Sequence, residues 1–129
     1  MKILVVDDNR QFLDLVGRLL TDEGFEVLKA EDGKEARELL EMEQIDLIIS
    51  DVLMPTLDGN RFHSYVREFT EARDIPFIFV SGYDDENTRK LVSDSDVDFF
   101  FSKTTPFEEV ILLIRRMMES RSPQSAVNH

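Results

Sequence analysis

Apolar residues recur along this chain in two alternating rhythms. Short apolar runs occupy Lys2–Val6, Leu47–Ser50, Pro76–Val80 and Val97–Phe101. They are too short for ordinary helices and rich in branched or aromatic residues, so they read as strands buried on both faces. Phe25–Ala30, with Phe25, Val27 and Leu28, adds the remaining strand. Between the strands the apolar positions return at helical spacing. Phe12, Leu13, Val16, Leu19 and Leu20 form one stripe, Ala36, Leu39 and Leu40 a second, and Phe62, Val66 and Phe69 a third. Asn9, Asp32 and Asp58 are the expected caps of these helices, and Gly24 stops the first. A fourth helix, capped by Asp84 or Asp85, carries only the thin stripe of Leu91 and Val92 and is expected to be the most mobile. Pro106 suits the first turn of a last helix. On that helix Phe107, Val110, Ile111, Ile114, Met117 and Met118 share one side, which leaves Leu112 opposite and exposed. The residues SPQSAVNH after Arg121 have no pattern. The expectation is one domain over residues 1–119 and a disordered tail over 120–129.

Strand and helix alternate throughout, so short right-handed crossovers imply a doubly wound α/β fold. Its sheet is parallel, with helices on both faces. All strands then point the same way, and their C-terminal ends lie along one edge. Ligands of open α/β sheets bind at that edge. It collects Asp7, Asp8, Asp51, Ser81 and Lys103 from distant parts of the chain.

Composition narrows the chemistry. There is no cysteine, which excludes disulfides and thiolate metal sites. No apolar run approaches membrane-spanning length, and the start MKILVVDD lacks the long apolar region of a secretory signal. A cytoplasmic protein without a membrane association is expected. The formal net charge of −12 is spread along the chain, so no direct nucleic-acid binding is expected either. Three carboxylates gathered at one edge repel one another and call for a counter-charge. Oxygen ligands without His or Cys suit a hard cation, Mg²⁺ before Zn²⁺. A hydroxyl and an ammonium beside them suit a phosphoryl group, with Asp51 as nucleophile. Each acid alone could equally end a strand or cap a helix. It is the set that points to phosphoryl transfer.

The strand-ending Asp7-Asp8, the stretch IISDVLMPTLDG around Asp51, PFIFVSG ending at Ser81 and FFFSK ending at Lys103 together resemble the receiver domain of two-component response regulators, the CheY-like family. The resemblance covers about residues 2 to 119. It implies a five-stranded sheet of order 2-1-3-4-5. It also implies that Asp51 accepts a phosphoryl group from the phosphohistidine of a sensor histidine kinase or phosphotransfer protein. Asp8, Asp51 and the main-chain carbonyl of Leu53 would then ligate Mg²⁺, with Asp7 acting through water. Ser81 would be the switch hydroxyl, Lys103 the charge-neutralising lysine and Phe100 the switch aromatic. The face of the fourth helix, fifth strand and last helix would be the output surface, for a downstream protein partner or a homodimer. The resemblance further implies a signalling domain rather than an enzyme, here one with no output domain of its own. Leu53 and Tyr83 match the positions that border the path of water to the phosphorus. Both are bulky and neither is an acid or amide, so they are expected to prolong the phosphorylated state.

One departure bears on the site. The family's lysine is usually followed by proline through a cis bond, whereas Thr104 and Thr105 stand between Lys103 and Pro106. A cis bond before a non-proline residue costs about 2.5–4 kcal/mol, so the aim of Lys103 is left open. Asp96 also replaces the usual small residue ahead of the last strand. The altered turn supports an alternative, a receiver-like scaffold that works without phosphorylation. A flavin carrier is disfavoured because Asp7 and Asp8 would repel a phosphate after the first strand. An aspartyl phosphatase would want an acid two residues past its nucleophile, where this chain has Leu53.

Overall fold

The computed structural model describes residues 1–52, 59–69, 74–82 and 97–120. Five strands, β1 (Lys2–Val6), β2 (Glu26–Ala30), β3 (Leu47–Asp51), β4 (Phe77–Ser81) and β5 (Asp98–Ser102), form one sheet in the order β2-β1-β3-β4-β5. Every pairing is parallel. The described helices are α1 (Arg10–Asp22), α2 (Gly33–Met42), α3 (Gly59–Phe69) and, last in the chain, α4 (Phe107–Ser120). The fold class and strand order expected from the sequence are therefore those of the protein.

Side-chain alternation along the strands sorts the core into two layers. Ile3, Val5, Leu47, Ile49, Ile78 and Val80 pack with α1 and α4, where Leu13, Val16, Leu20, Val110, Ile114 and Met117 meet them. Leu4, Val6, Ile48, Phe77 and Phe79 pack on the other face with Ala36, Phe62 and Val66 of α2 and α3. β3 and β4 are buried at every position, as their unbroken apolar runs require. A one-residue slip of either strand would exchange the layers, so register is strongly fixed.

Local signals set the ends. Asn9 Oδ1 accepts a hydrogen bond from the Phe12 N–H, and Asp32 Oδ1 accepts one from the Glu35 N–H, so both predicted caps operate. Gly24 stands just past α1 at φ +95°, a backbone state that glycine adopts without penalty. Several boundaries differ by one residue: β2 begins at Glu26, β3 ends at Asp51, and β4 starts and ends one position later than its apolar run. β5 starts and ends one position later than the apolar run implied, at the buried Asp98. Pro106 lies just before α4 rather than within it, and its carbonyl accepts the Glu109 N–H at 3.0 Å. Leu112 is 53 % exposed on α4, as its helical phase demanded. The predicted helix after Asp84, the Asp58 cap, Asp96 and the tail from residue 121 lie outside the described residues.

Candidate functional site

Register brings the site together. Ile3 to Val6 of β1 align with Leu47 to Ser50 of β3, so Asp7 and Asp51, each one step further, emerge side by side. Both continue the alternation toward the α1 layer. On the other flank Asp51 aligns with Val80, and Ser81 stands one residue beyond, opposite Ser102. Carboxylate oxygens of Asp7, Asp8 and Asp51 all lie within 4.8 Å of one another. Asp7 is fully buried, Asp51 is 8 % exposed, and Asp8 faces solvent.

This donor set fits a hard cation. Oxygens bound to one Mg²⁺ at about 2.1 Å can be at most about 4.2 Å apart, so small side-chain rotations would close the cluster. Asp7 Oδ2 accepts no regular hydrogen bond from the described residues. The Lys103 ammonium contacts it at 2.8 Å as an ion pair, but outside the angles of a regular hydrogen bond. Its second oxygen, Oδ1, accepts the Asn9 N–H at 2.8 Å, which ties the acid to the start of α1.

Lys103 Nζ lies 2.8 Å from Asp7 Oδ2 and 3.6 Å from Asp51 Oδ2. Partial burial pulls its pKa down, but the Asp7 contact and the attraction of Asp51 outweigh that and leave it above the ordinary lysine value. The ammonium therefore stays charged through neutral pH. Its stabilising contribution is present below the ordinary lysine value and is lost as pH rises through the raised one.

The missing proline does not misdirect this lysine. No peptide bond among the described residues is cis, so Lys103–Thr104 is trans. Hydroxyl groups hold the turn instead. Ser102 Oγ lies 2.7 Å from Thr104 Oγ1 and accepts the Thr104 N–H at 3.1 Å. The Lys103 N–H donates to the Ser81 carbonyl at 2.8 Å, which joins the lysine to the end of β4. Ser81 itself is buried. Phe100 is partly buried beside Phe79 and packs against the α2–α3 layer. Leu53 and Tyr83 lie outside the described residues.

The sequence reading missed a second polar group. Asp98 at the start of β5 is 6 % exposed, and its Oδ1 meets His63 Nε2 at 2.9 Å and Arg67 Nη2 at 2.6 Å. The His63 ring stands edge-on to Phe77 at 4.9 Å between ring centres. The available signal was an acid inside an apolar strand, which requires partners. His63 and Arg67, one turn apart on α3, were the candidates.

The chain matches the family model described as the response regulator receiver domain over residues 3–115. It is 37 % identical to an uncharacterised 14.6 kDa protein of Leptolyngbya boryana over 90 % of this chain and 88 % of that one. It is 34 % identical to response regulator RR06 of Streptococcus pneumoniae, covering 91 % of this chain but 51 % of that protein. The chain thus spans about half the length of that curated relative. Among solved structures it superposes on response regulator TrrA of Thermotoga maritima, crystallised in complex with Mg²⁺-BeF. The TM-score is 0.77 and the identity 28 %, over 90 % of this chain and 97 % of that one.

Proposed function

Because this chain belongs to the family of response regulator receiver domains, we propose that Asp51 takes a phosphoryl group from the phosphohistidine of a sensor histidine kinase or phosphotransfer protein. The observation that carries this reading is the Lys103 ammonium lying between the Asp7 and Asp51 carboxylates at the strand edge, 2.8 and 3.6 Å away. A carboxylate oxygen of Asp51 attacks phosphorus, the N–P bond to the donor imidazole breaks, and an acyl phosphate forms. Lys103 neutralises charge on the phosphoryl oxygens and Ser81 donates a hydroxyl to one of them. Asp7, Asp8, Asp51 and the Leu53 carbonyl would hold Mg²⁺, which when bound supplies further positive charge for the transferring group. Residues 1–119 form the receiver unit, and the cytoplasm is its place of work. The reading is tested by mass spectrometry after incubation with acetyl phosphate, with Mg²⁺ or with a chelator. A single phosphoryl adduct that needs Mg²⁺ is expected; no adduct under either condition would leave the scaffold reading.

The cation should also stabilise the unphosphorylated protein by mass action, because it relieves repulsion among the three acids. Melting curves are expected to rise with Mg²⁺ in the wild type and much less in Asp8→Ala. Equal shifts in both would move the cation elsewhere.

Phosphorylation changes the charge at the site, and Ser81 and Phe100 carry that change toward the face of β5 and α4, where a partner or a second copy docks. Leu112, exposed on α4, is taken as an apolar contact of that face. Leu112→Glu is expected to change stability by less than about 0.5 kcal/mol while weakening association with beryllofluoride-activated protein, read by light scattering or pull-down. Unchanged association would remove Leu112 from the output surface.

Leu53 and Tyr83 prolong the phosphorylated state by blocking water. Leu53→Asn with Tyr83→Glu is expected to speed loss of phosphoryl label by roughly tenfold, equivalent to about 1.4 kcal/mol of barrier. Equal or slower decay would end the shielding idea.

A further inference from the structure

Lys103 has a third neighbour besides the two acids. Its Nζ lies 4.5 Å from the centre of the Phe12 ring, over the face of the ring. That is within the range where the negative face of an aromatic ring attracts a cation. Phe12 sits in the first turn of α1, and its placement is fixed locally. Its N–H is capped by Asn9 Oδ1 at 3.2 Å, and the Asn9 N–H is in turn held by Asp7 Oδ1. One short stretch, residues 7–12, therefore presents the acid and the ring to the same ammonium. The ring is partly buried against the α1–α4 layer, so it has a defined position.

The two kinds of neighbour differ in what the reaction does to them. Asp7 and Asp51 must serve a cation, and Asp51 must also bond to phosphorus, so their hold on Lys103 changes as the site fills. A phenyl ring binds neither metal nor phosphoryl and keeps its attraction throughout. Main-chain hydrogen bonds from the Lys103 and Thr105 N–H groups hold the turn, but they leave the Lys103 side chain to be held by its own neighbours. The hydrogen bonds between Ser102 and Thr104 are exposed to competing water, and no proline follows the lysine.

We propose that Phe12 is a positioning residue for phosphoryl transfer, holding the Lys103 ammonium by its ring face while the carboxylates change partners. The proposal rests on the reading of Asp51 as phosphoacceptor. Phe12→Leu tests it, since leucine retains apolar packing but has no ring face, and Phe12→Tyr restores the face. At saturating Mg²⁺ and acetyl phosphate, Phe12→Leu is expected to phosphorylate roughly fivefold more slowly than wild type, or about 1 kcal/mol at a factor of ten per 1.36 kcal/mol. Its melting temperature and Mg²⁺ affinity should stay near wild type, and Phe12→Tyr should rescue the rate. A merely structural role would lower stability and would not be rescued selectively by an aromatic residue. Equal rates in wild type and Phe12→Leu would overturn the proposal, as would a slow Phe12→Tyr. The ε-methylene protons of Lys103 give a second readout by NMR. The ring should shift them upfield in wild type and Phe12→Tyr but not in Phe12→Leu. If wild type itself takes no phosphoryl group, the phosphoacceptor reading and the proposed role fall together, whereas the NMR shift still reports the contact. If wild type is phosphorylated but shows no ring shift, only the proposal falls.

Discussion

Asp51→Asn, incubated with acetyl phosphate and Mg²⁺, is expected to gain no phosphoryl adduct in an intact-mass spectrum in which wild type gains one. Asparagine keeps the shape of the side chain at the end of β3 but offers an amide oxygen in place of a carboxylate. The amide is a poor nucleophile and would leave an unstable product. The fold should survive. Asp51 is mostly buried within a cluster of three acids, so removing one negative charge relieves repulsion. Lys103 retains Asp7 as its nearer partner at 2.8 Å. The melting temperature without Mg²⁺ should therefore equal or exceed that of wild type, which separates lost chemistry from lost structure. A full-sized adduct on the folded variant would show that another group is the acceptor, and the assignment of Asp51 would be wrong.

The largest expected loss of stability lies away from that edge, in Asp98→Ala. The Asp98 side chain is 5 % exposed, and it accepts from Arg67 at 2.6 Å and meets His63 at 2.9 Å. Both partners project from α3, so the carboxylate ties that helix to the edge strand β5. Removing one member of a buried ion pair costs about 3–5 kcal/mol, because the remaining charge keeps its desolvation penalty without its counter-charge. Arg67 retains 18 % side-chain exposure and can turn partly to water, so the lower end of that range is expected, about 3 kcal/mol. That is a large share of a typical stability of about 5–15 kcal/mol. Urea unfolding should show a lower midpoint at an unchanged slope. Asp98→Asn, which retains an acceptor oxygen, should lose less, and the difference isolates the charge. A loss below about 1 kcal/mol for Asp98→Ala would mean that the network is not what holds α3 to β5.

The contrast between these two sites marks how far the sequence reaches. By itself it determined the alternation of strands and helices, because burial on both faces leaves unbroken apolar runs and one-sided burial leaves a helical stripe. It determined the caps at Asn9 and Asp32, because capping is a bond between near neighbours in the chain. It put Asp7, Asp51, Ser81 and Lys103 at one edge, because parallel strands end together. None of this needs more than local periodicity and the handedness of crossovers. The tertiary structure alone decided where Lys103 points. That depends on a turn held by hydroxyls and on the ring of Phe12, contributed from 91 residues away by a different element. It alone identified the partners of Asp98, which are 31 and 35 residues distant in the chain. A sequence states that a buried acid must be satisfied. Which cations satisfy it follows from packing, where a helix rotates and shifts until its apolar stripe is covered and its polar groups are brought to whatever lies opposite.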